Sequence, residues 1–249
     1  MRTWMNGLAV GCLLLALQAG AAGAAEITVI GGMGVISGLR DLAAGFASTT
    51  GNKVNAVFDA NPLAKVEAGA QVDIVALNPP VIDKLIESGK LVRPRVDFAR
   101  AGIGVAVKAG AGKLDLSSVE AFKRAMRNAK SIGYSTAGSG LMVAKIIQDL
   151  GLTEELKART KFLDGFPAAE AVARGEVEIA LQQINVILPV AGAELGGVLP
   201  PELQQYNAFA AGVLASSKEK EVAIAMLKFM GAPENAALVR KSGMEPPAH

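Results

Sequence analysis

Residues 26–51, EITVIGGMGVISGLRDLAAGFASTTG, carry the reading that decides the fold. Glu26 to Ile30 reads as a strand, and the loop Gly31-Gly32-Met33-Gly34 follows at once. A helix starts near Ser37: Leu39, Leu42, Ala43 and Phe46 share one face at helical spacing, and Gly51 ends it. The same order of strand, loop and helix follows twice more. Lys53 to Phe58 is a strand, and Asn61-Pro62 is an N-cap and first-turn pair for a helix ending near Gly69. Asp73 to Leu77 is an apolar strand of the buried type, and Asn78-Pro79 opens a helix that ends at Gly89. Three such units in about 65 residues predict a parallel sheet covered on both faces.

Further along, the pattern changes. Phe98 to Val107 is a long strand-like run, after which Ser117-x-x-Glu120 forms a capping box for a helix to about Asn128. Ser131 to Tyr134 is a strand, and Thr136-Ala-Gly-Ser-Gly140 leads into a helix that Gly151 stops. A helix from Pro167 to Arg174 precedes the strand Val177 to Leu181. Tyr206 to Ala215 is a second long strand, and helices from Ser217 and Pro233 close the chain. There is no internal repeat and no low-complexity linker, so two lobes would be joined by extended strands.

The N-terminus reads as a targeting segment. Arg2 is a short basic n-region, Gly7 to Leu17 is too short an apolar run to span a bilayer, and small residues follow from Ala19 to Ala25. The expected cut lies before Ala25 or Glu26, making residues 1–25 a signal peptide and the periplasm the destination. Cys12 sits inside the apolar run with Ala9 where a lipobox has leucine. Removal of this segment takes away Trp4 and Cys12, each the sole residue of its type. The mature chain then has no disulfide, no thiolate nucleophile and no cysteine zinc site. His249, the single histidine, is the last residue, which excludes histidine triads and histidine metal sites. No cofactor and no metal are expected. About 224 residues remain, enough for one large domain or two of about 100. The 24 bases left face 23 acids, no basic face stands out, and two tyrosines give few stacking platforms, so nucleic acid is not an expected partner. No later segment reads as membrane-spanning: Leu203 to Leu214 is broken by Gln204, Gln205 and Asn207.

Three loops share one design, a strand ending in small or polar residues followed immediately by a helix. They are Gly32 to Gly38, Asp59 to Leu63 and Thr136 to Leu141. Free N–H groups and the dipole at a helix N-terminus bind an anion without a side-chain charge. In open parallel sheets such loops gather at the carboxyl edge, where ligands sit. One such loop needs no more than capping to explain it; three together favour binding. Two nucleotide motifs fail: Gly32-x-Gly34 has Ser37 where a third glycine belongs, and Gly110-Ala-Gly-Lys113 is followed by Leu114 where a phosphate loop needs Ser or Thr.

The order of pieces resembles the type II periplasmic solute-binding proteins, above all the molybdate-binding branch. The residues that carry the resemblance include Ile27-Thr-Val with its glycine loop, Phe46-Ala-Ser-Thr-Thr-Gly51, Leu63-Ala-Lys-Val-Glu-Ala-Gly69 followed by Val72-Asp-Ile74, and Glu87-Ser-Gly-Lys-Leu91. Gly102-Ile-Gly-Val-Ala106, Arg174-Gly-Glu-Val-Glu-Ile179 and Leu199-Pro-Pro-Glu-Leu203 extend it across nearly the whole mature chain. It implies an α/β fold of two lobes, each a mainly parallel sheet flanked by helices, with two crossing strands as hinge. Phe98 to Val107 and the segment near Pro201 to Ala208 suit those strands. Lobe 1 would then comprise 26–98 with 206–249, and lobe 2 99–205.

Members that bind molybdate place serine hydroxyls in the first two loops. Here Gly34 stands at the first such position and Asn61-Pro62 at the second, and a tyrosine of the far lobe is replaced near Gln182. Arg100, where the first crossing strand starts, reads either as a bidentate clamp for a carboxylate or as a hinge arginine. Gln182, Gln183 and Asn185 follow an apolar strand and read as turn residues or as cleft donors. The implied function is capture of a small anion, an oxyanion or a polycarboxylate, by a monomer that delivers it to an ABC permease. Gly34, Ser37 and Asn61 from one lobe, Ser139, Gly140 and Gln182 from the other, and Arg100 between them are the expected ligand residues. Sequences resembling this branch also include periplasmic aconitate isomerases, which move a double bond in a tricarboxylate by proton transfer. On that alternative Asp59, Tyr134, Ser139, Arg100 or Lys65 are the candidate catalytic groups. A sensor-type binding protein feeding a membrane receptor is the third possibility.

Overall fold

The computed structural model describes residues 24–248; the expected signal segment up to residue 23, and His249, lie outside the described residues. The first half runs β1 (Glu26–Gly31), α1 (Ile36–Thr50), β2 (Lys53–Phe58), α2 (Pro62–Glu67), β3 (Ile74–Leu77), α3 (Pro79–Glu87) and β4 (Val96–Lys108). Then come α4 (Val119–Asn128), β5 (Ile132–Tyr134), α5 (Ser139–Asp149), α6 (Thr153–Leu156), β6 (Thr160–Phe162), α7 (Ala168–Ala173) and β7 (Ile179–Gln183). The chain closes with α8 (Ile184–Ile187), β8 (Ala193–Val198), β9 (Tyr206–Val213), α9 (Lys220–Gly231) and α10 (Ala236–Lys241).

β1 pairs in parallel with β2 on one side and β3 on the other, the arrangement that three successive strand–helix units demand. α1 buries the face expected of it, Leu39, Leu42, Ala43 and Phe46, and ends at Gly51, whose φ of 75° only glycine adopts freely. Asn61 caps α2 by accepting a hydrogen bond from the Ala64 N–H at 3.1 Å, with Pro62 in the first turn.

β4 joins two lobes. Its first half, Val96 to Gly102, pairs antiparallel with β9. Its second half pairs antiparallel with β7 and β8. The continuous strand order is β2-β1-β3-β9-β4-β7-β5-β6, with β8 also on β4. Buried side chains divide at the same point: Phe98, Ala99 and Ala101 belong to a core with α1, α9 and β9, whereas Ile103, Val105 and Val107 belong to a core with α4, α5 and β7. Among the described residues no single helix is long and apolar enough to cross a membrane.

Several local expectations shift. Ser118, not Ser117, caps α4, accepting from the Ala121 N–H at 3.2 Å, because the Ser117 hydroxyl donates to Asp115 at 2.6 Å. The last long helix begins at Lys220 and not Ser217, whose hydroxyl donates to Asp73 at 2.6 Å. β7 runs two residues further than the apolar stretch, so that Gln182 and Gln183 end the strand instead of following it. α6, β6, α8 and β8 had no counterpart in the sequence reading; the first three span only three or four residues, too few for a periodic signal.

Candidate functional site

A cleft of about 710 Å³ lies between the lobes, at the carboxyl ends of β1, β3, β5 and β7. Lobe 1 lines it with the Gly32–Val35 turn, Phe58, Ala60, the Ala76–Asn78 segment, Asn207 and Phe209. Lobe 2 contributes Ser135 to Ser139, Leu163 to Phe166, Gln182, Gln183 and Val186. Among the described residues Asp164 is the single ionisable side chain in this lining, and no lysine or arginine is part of it.

The turn before α1 is closed by hydrogen bonds from the Val35 and Ile36 N–H groups to the Gly32 carbonyl at 3.2 and 3.1 Å. The Met33 and Gly34 N–H groups donate to no described residue. On the opposite wall, the Gly140 N–H donates to Ala137 at 3.0 Å, leaving the Ala137, Gly138 and Ser139 N–H groups without a described acceptor. Gly138 has φ 56°, ψ −125°, a conformation closed to residues with a Cβ, and this sharp corner aims the start of α5 at the cleft. Asp164 fixes the same loop: its carboxylate accepts from the Thr136 N–H and from the Thr136 hydroxyl, both at 2.8 Å.

The two glutamines at the end of β7 differ. Gln182 Oε1 accepts from the Ala169 N–H at 3.3 Å, which occupies it in capping α7. Gln183 is 3% exposed, and its Nε2 has no partner among the described residues. Nearby, Asn185 bridges the lobes by donating to the Gly34 carbonyl at 2.9 Å and to the Ser37 hydroxyl at 3.2 Å. Asn78 on the lobe 1 rim donates to Asn207 Oδ1 and to the Ala208 carbonyl.

The expected site residues therefore separate. Gly34, Ser139 and Gln182 line the cleft. Gly140 lies directly beneath the α5 loop, with the Ser135 carbonyl oxygen 1.8 Å from where a Cβ would stand. Ser37 and Asn61 are not in the lining; the first is committed to Asn185 and the second to its capping bond. Asp59 and Lys65 pair with each other at 3.9 Å outside the lining. Tyr134 packs its ring edge-on to Phe162 at 5.5 Å, and burial pushes its phenol above the usual range, away from a proton-accepting state. Arg100 is not in the cleft lining. Its guanidinium donates twice to Glu245, at 2.6 and 3.0 Å, and stacks on Tyr206 at 4.1 Å. Its backbone pairs with Glu245 as well, so the side chain pins the C-terminal segment to β4.

Asp164, Phe58, Phe209 and Asn207 lie outside the expected site, and Thr136 belongs to it only as the first residue of an expected anion-binding loop. Asp164-Gly165 carries an ordinary turn signal, but nothing in it announces the Thr136 loop as its partner.

Residues 27–245 match the family described as bacterial extracellular solute-binding protein. An aconitate isomerase from a Pseudomonas species is 28% identical over 250 residues, covering 96% of this chain and 95% of that one. The molybdate-binding protein of Azotobacter vinelandii is 27% identical over 245 residues, covering 93% and 96%. A solved structure of the periplasmic molybdate-binding protein of Azotobacter vinelandii superposes with a TM-score of 0.73 at 22% identity, over 90% of this chain and all of the other. With the fold, the inter-lobe cleft and a family match across nearly the whole described chain, this protein belongs to the bacterial extracellular solute-binding proteins.

Proposed function

We propose that the protein captures a small anion carrying carboxylates in the cleft between its lobes, in the periplasm, for delivery to an ABC permease. One observation carries this reading: the amino ends of α1 and α5 face one cleft whose lining holds no cationic side chain. Attraction for an anion then comes from backbone N–H groups and helix dipoles, which need no counter-charge. The volume, about 710 Å³, lies within the range of about 300–1,000 Å³ usual for small organic ligands. Phe58, Leu77, Phe166 and Phe209 add apolar walls, which suit a carbon skeleton better than a bare tetrahedral oxyanion. A ligand touching both lobes stabilises the closed form in proportion to the contacts it makes there alone.

A second reading, isomerisation of a tricarboxylate, is favoured by Asp164. It is the one carboxylate in the lining and stands at the mouth of the α5 loop. A 1,3-proton shift takes a proton from a methylene beside the double bond and returns it at the far alkene carbon, so that no atoms are gained or lost. Asp164 would hold the proton between the two steps, and the helix N-termini would stabilise the enolate-like charge.

A thermal-shift screen against molybdate, sulfate, citrate, cis-aconitate and trans-aconitate tests both readings, with the aconitate samples followed by proton NMR. An anion at 100 times its dissociation constant adds about 2.7 kcal/mol to stability. The expected result is a raised melting temperature with a polycarboxylate and no effect of sulfate. Interconversion of the aconitates in the NMR samples replaces capture with catalysis; no shift with any anion refutes the capture reading.

A further inference from the structure

Gly34 has no conformational reason to be glycine, since its φ is not in the left-handed region. Its reason is space. A Cβ at position 34 would stand 2.5 Å from Gln183 Oε1 and 3.3 Å from the Phe209 ring. Gln183 is at once 3% exposed, part of the cleft lining and without a partner for its Nε2. A buried donor left unpaired is destabilising, and replacing it with an apolar group of similar shape is neutral or stabilising. A buried donor of this kind in the cleft lining is free to serve a ligand.

We infer that Gln183 is the side chain that reads the ligand, and that Gly34 is glycine in order to admit it. This inference rests on the capture reading and deepens it, by naming the group that selects a carboxylate. Rotation about the terminal torsion of Gln183 exchanges its oxygen and nitrogen positions. The amide N–H then meets a carboxylate oxygen seated beside the unpaired Gly34 N–H, and the side chain joins the amino end of α1 to the floor of lobe 2. Gln182 is turned toward α7 instead, its oxygen accepting from the Ala169 N–H. The Asn185 nitrogen is engaged by Gly34 and Ser37. A neutral amide also suits the site electrically: it adds a donor but no charge beside Asp164, and its N–H donates to either carboxylate oxygen.

The experiment compares wild type with Gln183→Leu, Gln183→Ala, Gly34→Ala and the Gly34→Ala/Gln183→Ala pair. Each is measured for melting temperature without ligand and for affinity by calorimetry with citrate, cis-aconitate and trans-aconitate. Gln183→Leu is expected to melt at or above the wild-type temperature while binding the preferred polycarboxylate about 10- to 150-fold more weakly, the range for one hydrogen bond to a charged group. Gly34→Ala is expected to weaken binding about 10-fold or more in the wild-type background, by pushing the amide aside, and to cost nothing further once Gln183 is alanine. A Gln183→Leu protein that melts lower and binds as well as wild type overturns the inference and leaves the capture reading standing. Additive effects of the two alanines overturn the pairing of Gly34 with Gln183. Failure of wild type to bind any of the three polycarboxylates removes the capture reading and this inference together.

Discussion

Replacing Gly140 with valine is expected to abolish most anion binding while leaving a folded, less stable protein. Even a bare Cβ at this position would lie 1.8 Å from the Ser135 carbonyl oxygen and 2.5 Å from its carbon, both backbone atoms that no rotamer change can move aside. The 135–140 turn must therefore open, and the Ser139 N–H and the amino end of α5 leave their place on the cleft wall. Crowding of this kind costs about 1–3 kcal/mol of stability. Loss of a hydrogen bond to a charged group costs about 1.5–3 kcal/mol of binding. Gly151→Ala is the matched comparison, since Gly151 follows the other end of α5 with φ 70° and a Cβ there would meet nothing within 4 Å. A Cβ in a left-handed conformation costs about 1–2 kcal/mol, so both variants lose stability but only Gly140→Val loses affinity. Chemical denaturation and calorimetry on the two proteins read the difference; equal affinity in both would detach α5 from the site.

Phe46→Ala is expected to produce the largest loss of stability while sparing the site. Phe46 is 2% exposed and meets Phe229 edge to face at 5.5 Å, joining α1 to α9 in the lobe 1 core. Truncating a buried phenylalanine to alanine costs about 3–5 kcal/mol. For a chain of this size that corresponds to a fall in melting temperature of roughly 6–20 °C. Position 46 stands about 15 Å along α1 from its first turn, so the affinity measured below the transition should match wild type. Calorimetric melting and titration give both numbers, and a parallel fall in affinity would mean that the cleft is not carried rigidly by the amino end of α1.

What could be read from residues alone were features whose cause is local. Asn61-Pro62 and Asn78-Pro79 start helices, Gly51, Gly89 and Gly151 follow their ends, and both cleft-facing loops, Gly32 to Gly38 and Thr136 to Leu141, sit where a strand runs straight into a helix. Those signals involve neighbours a few residues apart. The partners that decide which side chains reach the ligand are far apart in sequence. Arg100 carries its best-looking chemistry to Glu245, 145 residues on, and Ser37 is claimed by Asn185 at a separation of 148. Gln182 and Gln183 are indistinguishable as letters. Only the registration of β7 against β4, with Gln183 opposite Ile103 and Gln182 opposite Gly104, gives one to α7 and leaves the other facing Gly34. The absence of a side chain at Gly34 reads in the sequence as a lost hydroxyl; in the structure it is room made for an amide.

The most direct test of the account is a crystal structure of the protein with the polycarboxylate that stabilises it most. The expected result is the ligand between the lobes, with carboxylate oxygens accepting from the backbone at Gly34 and Ser139 and from the Gln183 amide, and with no lysine or arginine in contact. A ligand seated elsewhere, or held in the cleft by a cationic side chain while the ends of α1 and α5 stay unengaged, would contradict it.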